Sequence, residues 1–230
     1  MLTLPIYDVT PFTLLDYPGR TACIVWFSGC NMRCGYCHNP KIIRSKGKRT
    51  AEQVLVFLEK RQGLLDGVVL SGGEATLYKD IVDFSAHIKQ RGFAVKLDTN
   101  GTRPDIIKQM LDNNLLDYVA LDYKAPASKY KKVTARQLFK QFDETLSLLC
   151  LQDRVPFEIR TTVHRNQLDE QDVMDIMQDL VSRNYRGVYY VQNYINNNDP
   201  VLGKLPPQKL ILDINQLLQP KIFTLAFRNF

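Results

Sequence analysis

The stretch Cys23–Pro40, CIVWFSGCNMRCGYCHNP, contains the two features from which the fold and the chemistry of this chain can be predicted. It begins with Cys23–Ser28, a compact apolar run rich in β-formers, which predicts a buried strand. Three cysteines then follow in the spacing C-x3-C-x2-C: Cys30, Cys34 and Cys37. A loop with these gaps can direct three thiolates to one point, and thiolate ligands suit zinc or an iron–sulfur cluster.

The composition is typical of a globular α/β protein. The chain has 230 residues, 45% hydrophobic content, five cysteines and a formal net charge of +6. This length suits one large α/β domain or two small ones. An odd, clustered set of cysteines indicates metal binding or chemistry in a reducing compartment rather than a disulfide framework. Because no apolar run approaches the ~20 residues of a membrane span and no signal peptide is evident, we expect a cytoplasmic protein.

A basic segment follows the cysteines. Lys41–Arg49, KIIRSKGKR, has five positive charges and no acidic residue. We interpret it first as a solvated loop, with a patch for an acidic partner as the alternative. The modest net charge permits an anionic partner, nucleic acid included, but does not require one.

Strand-like and helix-like segments alternate along the chain in six units. The predicted strands are Cys23–Ser28, Gly67–Ser71, Phe93–Asp98, Tyr118–Asp122, Phe157–Val163 and Gly187–Gln192. The predicted helices are Thr50–Arg61 with Thr50 as N-cap, Lys79–Gln90, one from about Pro104, Ala135–Leu151, Asp169–Val181 and a weaker one near Pro207–Leu218. This alternation predicts a parallel sheet covered by helices. Six units are too few for a closed eight-unit barrel, so a partly open barrel or a doubly wound sheet remains, and Lys221–Phe227 is a candidate edge strand.

In folds of this kind the ligand lies at the carboxyl ends of the strands. The residues just past the predicted strand ends include Cys30 to His38, Gly72-Gly73-Glu74, Asp98-Thr99-Asn100-Gly101, Asp122, Lys124 and His164. We therefore predict the site at this edge. Other interpretations exist for single residues: Asp98 could cap the turn in DTNG, and Asp122 and Lys124 could form a surface ion pair. Arg160 lies within an apolar strand, where its charge must be paired or must reach a ligand.

Two metal centres are possible for the three cysteines. A structural zinc site takes four ligands, commonly from two separated pairs, and no second pair exists here. Cys23 and Cys150 are interpreted as buried small hydrophobes, and His38 could become a fourth ligand only through a sharp chain reversal. A four-iron cluster held by three cysteines leaves one iron open to an amine and a carboxylate of a second molecule.

The cysteine motif, with Tyr36 before its last cysteine, resembles the signature of the radical S-adenosylmethionine (SAM) superfamily, and SGGE (Ser71–Glu74) resembles its second motif. Longer segments resemble the activating proteins of anaerobic ribonucleoside-triphosphate reductase and, more broadly, the glycyl-radical-enzyme activases: LLDYPGRTACIVWFSGCNMRCGYCHNP, LLDGVVLSGGEATL, GFAVKLDTNGT, LLDYVALDYKAP and FEIRTTVH. One departure is Ala75, where proline often follows the glutamate. The resemblance implies an open six-unit (β/α)6 barrel in a single domain, 1–230, with a core of about 20–195, a lead-in 1–19, and a C-terminal helix and edge strand in 196–230.

The resemblance also implies a set of site residues. Cys30, Cys34 and Cys37 are expected to bind one 4Fe-4S cluster at which SAM is cleaved. The residues expected to contact SAM are Tyr36, His38, Gly72, Gly73, Glu74, Asp98, Thr99, Asn100, Asp122, Lys124, Arg160 and His164. A monovalent cation is expected near Asp98 and Asp122.

The implied activity is reductive cleavage of SAM to methionine and a 5′-deoxyadenosyl radical, followed by formation of a glycyl radical on a partner enzyme. The implied partners are anaerobic ribonucleotide reductase and an electron donor such as flavodoxin or ferredoxin, without a membrane or a nucleic acid. Two alternatives remain: a radical SAM enzyme acting on a small molecule or tRNA, as in the deazaguanine synthases, and a non-enzymatic zinc protein.

Overall fold

The computed structural model describes residues 2–195, 205–206, 208, 212–213, 215, 217 and 220–230. The chain divides into two compact units. The first consists of Met1–Asn31, Lys41–Thr99 and Arg103–Ala120, and the second consists of Met32–Pro40, Asn100–Thr102 and Leu121–Phe230.

Among the described residues, eight strands follow chain order in one sheet: β1 (Ile6–Thr13), β2 (Ala22–Phe27), β3 (Gly67–Gly72), β4 (Ala94–Thr99), β5 (Tyr118–Asp122), β6 (Phe157–Val163), β7 (Val188–Asn193) and β8 (Thr224–Arg228). The helices are α1 (Pro40–Arg44), α2 (Ala51–Glu59), α3 (Ile81–Gln90), α4 (Pro104–Asp112), α5 (Ala127–Thr134), α6 (Phe139–Leu151) and α7 (Glu170–Ser182). The predicted alternation of strands and helices is confirmed for the first five units. Among the described residues, no helix has both the length and the apolar character needed to cross a membrane.

In the first unit, β2, β3 and β4 are parallel, whereas β1 runs antiparallel to β2 at the sheet edge. The strands β2 and β3 are buried along nearly their whole length, which is why their sequences are continuous apolar runs. The sequence analysis did not predict β1. Its residues include Asp8 and the exposed Pro11, which weaken a strand pattern but are tolerated on an edge strand.

In the second unit, β6, β7 and β8 are parallel, and β8 forms an edge of the sheet within the tail considered as a candidate strand. The helix α7 buries the predicted stripe of Val173, Ile176, Met177 and Leu180. The weaker helix predicted near Pro207–Leu218 falls largely on residues outside the described part of the chain.

The helix predicted over Ala135–Leu151 is wrong in its first turn. Ala135 has a left-handed backbone (φ +58°) and ends α5, a helix that the sequence analysis missed, and α6 begins only at Phe139. The sequence of α5 is strongly polar, so it lacks the apolar stripe that would have predicted it. A left-handed residue is a common way to end a helix, but it is more often glycine or asparagine than alanine.

Thr50 is the N-cap of α2, as predicted. Its hydroxyl accepts a hydrogen bond from the Gln53 backbone N–H at 3.2 Å, and its own N–H donates to the Gln53 side chain at 3.0 Å. This capping box satisfies two donors that the first turn of a helix otherwise leaves open.

We expect Thr50→Ala to lower the free energy of unfolding by about 1 kcal/mol, because the helix loses its capping oxygen. Urea denaturation of the full chain measures the change. Thr50→Ser is the matched control, since it keeps the hydroxyl and should remain close to the wild type. Equal stability of the alanine and serine variants would contradict this account of the cap.

Candidate active site

The cysteine motif begins three residues after the end of β2. Cys30, Cys34 and Cys37 are not joined in disulfides, and Cys34 is the most buried of the three. The Cys37 N–H donates to the Cys34 carbonyl at 3.1 Å, which closes a tight turn between the last two cysteines. Burial raises the pKa of the Cys37 thiol, so this thiol would release its proton on binding a metal. Within the described residues, no three or more His, Cys, Asp and Glu side chains form a group that could hold a metal ion.

The other two cysteines lie in regular elements. Cys23 is fully buried within β2, as interpreted from the sequence, and burial raises the pKa of its thiol to about 12. Cys150 is only half-buried on α6, and burial raises its pKa to about 11. The interpretation of a fully buried residue was therefore correct for Cys23 and too strong for Cys150.

The glycine-rich end of β3 lies against the chain segment that enters the cysteine motif. Gly72 has a φ of +124°, which L side chains rarely adopt. A Cβ on Gly73 would lie 1.8 Å from the carbonyl oxygen of Gly29, and the Glu74 N–H donates to the same oxygen at 2.9 Å. Because Gly29 directly precedes Cys30, this contact positions the SGGE segment beside the first cysteine.

The Glu74 side chain joins the ends of β3 and β4. It is only 1% exposed, and its Oε1 accepts hydrogen bonds from the Thr99 hydroxyl at 2.9 Å and from the Thr76 N–H at 3.1 Å. The Thr76 hydroxyl donates to the same oxygen. The Glu74 carboxylate therefore holds Thr76 and Thr99 by hydrogen bonds, while the backbone N–H of Glu74 bonds the Gly29 carbonyl.

Asp98 is held by two side chains. It accepts a hydrogen bond from the Ser71 hydroxyl at 3.0 Å and pairs with the ammonium of Lys96, whose residue is only 2% exposed. The sequence analysis missed Lys96. The sequence did indicate that Lys96 pairs with Asp98. Residues i and i+2 of a strand share a face, and a lysine in an apolar strand needs a partner for its charge.

Asn100 caps the turn in DTNG. The Asn100 Oδ1 accepts hydrogen bonds from the Thr102 N–H at 3.1 Å and from its hydroxyl at 2.7 Å. Gly101 has a φ of +73°, and its carbonyl accepts from the Thr145 hydroxyl at 2.7 Å. The sequence analysis did not assign this capping role to Asn100, and a turn-capping role for Asp98 stays a prediction.

Asp122 and Lys124 form part of a largely buried charge network rather than a surface ion pair. The Asp122 carboxylate bonds Lys124 Nζ at 2.9 Å and Arg160 Nε at 2.9 Å. Arg160 also lies 3.9 Å from Glu158, a buried acid that the sequence analysis missed. Although burial opposes ionisation, the two cations lower the pKa of Asp122 to about 2. Arg160 is thus paired, as its position required, by a carboxylate of the chain itself.

Tyr36 lies beside this network. Its ring is buried, with its centroid 5.8 Å from Lys124 Nζ, and its hydroxyl donates to the Lys124 carbonyl at 3.4 Å. The aromatic residue of the cysteine motif therefore packs on the strand-end lysine that the sequence analysis had selected.

Two histidines flank one tyrosine. The rings of His38 and His164 lie 6.0 Å and 5.1 Å from the ring of Tyr194. The His164 Nδ1 accepts from the Asn166 N–H at 3.1 Å, so its Nε2 carries the proton and donates to the Pro206 carbonyl at 3.0 Å. Both ring nitrogens of His164 are therefore engaged by the chain itself. Burial lowers the pKa of His38, which favours a neutral ring.

Comparison with solved structures shows the fold. The structure of SuiB of Streptococcus suis bound to S-adenosylmethionine matches with a TM-score of 0.65 at 12% identity, covering 89% of this chain and 51% of that chain. This likeness confirms the predicted fold class, an α/β fold with the open barrel of radical SAM proteins.

Comparison of sequences shows the family. The Radical SAM superfamily model matches residues 24–191. The chain is 36% identical over 177 residues to a putative glycyl-radical enzyme activating enzyme of Methanocaldococcus jannaschii, covering 74% of this chain and 73% of the relative. It is 34% identical over 140 residues to the pyruvate formate-lyase-activating enzyme of Clostridium pasteurianum, covering 57% of each. The chain is therefore an enzyme of the radical SAM superfamily and belongs, within it, to the glycyl-radical enzyme activating enzymes.

Proposed function

We propose that this enzyme binds SAM at a 4Fe-4S cluster held by Cys30, Cys34 and Cys37 and generates a glycyl radical on an anaerobic ribonucleoside-triphosphate reductase. Membership of the radical SAM superfamily implies the cluster and SAM. When bound, the cluster supplies the single electron that breaks the bond between the SAM sulfur and its 5′ carbon, which leaves methionine and a 5′-deoxyadenosyl radical.

The observation that carries this proposal is the close approach of Gly73 and Glu74 to the carbonyl of Gly29. It supports the proposal because it holds the SGGE segment beside the residue that precedes Cys30, so a molecule bound at Cys30 would meet the backbone of this segment. Three cysteine thiols in one loop are also the donor set that a cluster with one open iron requires. In this proposal the backbone of Gly72, Gly73 and Glu74 meets the amine of the methionyl group.

The remaining contacts to SAM are proposed from position and charge. Lys124 and Arg160 are cations suited to the methionyl carboxylate, and Tyr36 and His38 offer aromatic faces to the adenine side. The residues proposed toward the ribose and carboxylate are Asp98, Thr99, Asn100 and Asp122. The turn contacts of Asn100 and the occupied ring nitrogens of His164 favour structural roles for these two residues.

A monovalent cation near Asp98 and Asp122 stays a prediction. Asp98 already pairs with Lys96, and Asp122 pairs with both Lys124 and Arg160. A metal cation bound by either carboxylate would have to compete with these ammonium and guanidinium groups.

Membership of the family implies that the partner is a glycyl radical enzyme. The choice of anaerobic ribonucleoside-triphosphate reductase as that partner is a more specific proposal. It rests on the longer segments that resemble the reductase activating proteins. Of the two relatives above, one is named for pyruvate formate-lyase and the other for no particular glycyl radical enzyme, so the partner must be identified by experiment.

We expect serine at Cys30, Cys34 or Cys37 to abolish both iron retention and formation of 5′-deoxyadenosine, because each thiolate is needed to hold the cluster. Iron analysis after anaerobic reconstitution and chromatography of the products measure the two quantities. Cys150→Ser is the matched control and should keep both. A serine variant of the motif that retains about four irons and cleaves SAM would refute the cluster assignment.

We expect Gly73→Ala to weaken SAM binding by at least about tenfold, because the added Cβ would displace the Gly29 carbonyl beside Cys30. Equilibrium dialysis of SAM with the reconstituted protein measures the affinity. Gly92→Ala is the control for a glycine substitution without a steric clash, since nothing lies within 4 Å of the added Cβ and its φ of +85° strains only the local backbone. Unchanged SAM affinity in the folded Gly73 variant would argue against a ligand at this end of β3.

The partner is tested by mixing the reconstituted enzyme with dithionite, SAM and the anaerobic reductase and recording the electron paramagnetic resonance spectrum. We expect a glycyl radical on the reductase and none when pyruvate formate-lyase replaces it. Formation of 5′-deoxyadenosine without a radical on any glycyl radical enzyme would indicate a small-molecule or tRNA substrate instead.

A further inference from the structure

The strands β6, β7 and β8 of the second unit differ in the burial of their two faces. The side chains on one face are buried and include Ile159, Thr161, Val163, Tyr189, Val191 and Leu225. The side chains on the opposite face are half-buried and mostly polar: Arg160, Thr162, Tyr190, Gln192, Ala226 and Arg228. Because parallel strands are normally covered on both faces, a half-buried polar face indicates a surface that a ligand covers.

The strand register places the polar side chains of this face next to one another. Thr162 of β6 is in register with Gln192 of β7, and Gln192 is in register with Arg228 of β8. In the adjacent row Arg160 is in register with Tyr190. Within the part of the chain that the structure describes, the side chains of Thr162, Tyr190, Gln192 and Arg228 form no hydrogen bond. The polar groups of these four side chains are therefore available to a bound molecule.

Arg228 is positioned by an aromatic ring. Its guanidinium carbon lies over Tyr190, 3.5 Å from the ring centroid. Contact with a ring face uses the charge of the guanidinium but none of its five N–H donors. The Glu158 carboxylate lies 3.9 Å from Arg228 and 3.9 Å from Arg160, which is longer than a hydrogen bond. The Arg228 side chain is 36% exposed, so an incoming group can reach its donors.

A carboxylate is the group that best fits this guanidinium. The planar fork of an arginine matches the two oxygens of a carboxylate, and the resulting pair of N–H···O bonds is strong and directional. The neighbouring amide of Gln192 and hydroxyl of Thr162 can both donate and accept, which suits the N–H and C=O groups of a peptide segment. Arginine and tyrosine are also the residue types that contribute most to binding energy at protein interfaces.

The same face continues to a residue of the proposed SAM site. Arg160, which the proposed function assigns to the methionyl carboxylate, is the register neighbour of Tyr190. Two strand spacings separate β6 from β8, which is roughly 10 Å. A peptide segment whose carboxylate is bound at Arg228 would therefore extend along this face toward Arg160.

From these observations we propose that Arg228, oriented by Tyr190, binds the carboxylate of an acidic side chain close to the glycine that receives the radical on the partner enzyme. This inference rests on the proposed function and adds the chemistry of the segment that the enzyme recognises. Arg228 thereby determines specificity, since a partner without a carboxylate at this place would leave its donors unpaired.

The test measures the initial rate of glycyl radical formation by electron paramagnetic resonance at increasing concentrations of the anaerobic reductase. We expect Arg228→Gln to raise the KM for the reductase by about tenfold or more, with a much smaller change in kcat, because a charge-assisted hydrogen bond is lost. Arg228→Lys keeps the charge without the fork and should give an intermediate KM. The wild-type KM should rise with salt more steeply than that of Arg228→Gln.

Three controls separate recognition from a structural role. SAM affinity by equilibrium dialysis, and 5′-deoxyadenosine formation with dithionite in the absence of reductase, should be unchanged in Arg228→Gln. Arg186→Gln removes the same charge from an exposed side chain just before β7, at the opposite end of the strands, and should keep the wild-type KM. Tyr190→Phe keeps the ring under the guanidinium and should resemble the wild type, whereas Tyr190→Leu should raise the KM several-fold.

The carboxylate is located by changing the acidic side chains that flank the radical glycine of the reductase to amides, one at a time. One change should raise the KM of the wild type and have no further effect on Arg228→Gln, as a double-mutant cycle requires for a direct pair. An unchanged KM in Arg228→Gln would overturn the proposal, as would the absence of any coupled acidic residue or an equal loss of 5′-deoxyadenosine without reductase. A wild type that forms no glycyl radical on the reductase would instead overturn the proposed function, and this inference with it.

Discussion

The organisation of the first unit depends on the absence of a side chain at Gly73. The carbonyl of Gly29 occupies the position that a Cβ would take, and it accepts the N–H of Glu74. Since β2 and β3 are adjacent parallel strands, this contact extends their pairing past the strand ends into the segment that leads to Cys30. Any larger residue would separate the two segments, so the position of Gly29 and Cys30 relative to β3 follows from one steric constraint.

A second constraint concerns charge at the strand ends. Lys96 and Asp98 are two residues apart in β4 and share a face of that strand. Asp122, the last residue of β5, pairs with Lys124 two residues further along the chain. Each pair keeps a largely buried cation beside a carboxylate, which avoids the cost of an unpaired charge in the interior. In the proposed function, the same pairs also offer polar groups to a charged cosubstrate at the strand ends.

The segment Lys41–Arg49 combines buried and exposed side chains within a few residues. Ile42 and Ile43 pack inward, while the charged residues around them are exposed. The backbone of the segment bonds to Gly29 and Ile6. Beyond α1 the segment is irregular with exposed charges, as a solvated loop requires, and the two buried isoleucines anchor its first part.

The spacing of apolar residues was sufficient to predict most helices and strands, because the burial of these elements dictates that spacing. The limits of β5 and β6 agree with the prediction, since β5 is mostly apolar and β6 is rich in aromatic and β-branched residues. The errors fall where burial is partial. The edge strand β1 contains a proline, and α5 is polar. Ala135 adopts a left-handed backbone, which the residue type alanine does not predict. In these places contacts distant in sequence outweighed local preference.

The sequence by itself determined the family, the parallel α/β fold and the spacing of the three cysteines, because these depend on residue type and order along the chain. Only the tertiary structure decided which side chains pair with, or donate hydrogen bonds to, each charged or polar group. Asp122 pairs with Arg160, Asn100 caps the turn that follows β4, and the ring nitrogens of His164 bond Asn166 and Pro206. The physical reason is that hydrogen bonds and ion pairs act over a few ångströms in space, and the distance between two side chains is set by how the strands and helices pack.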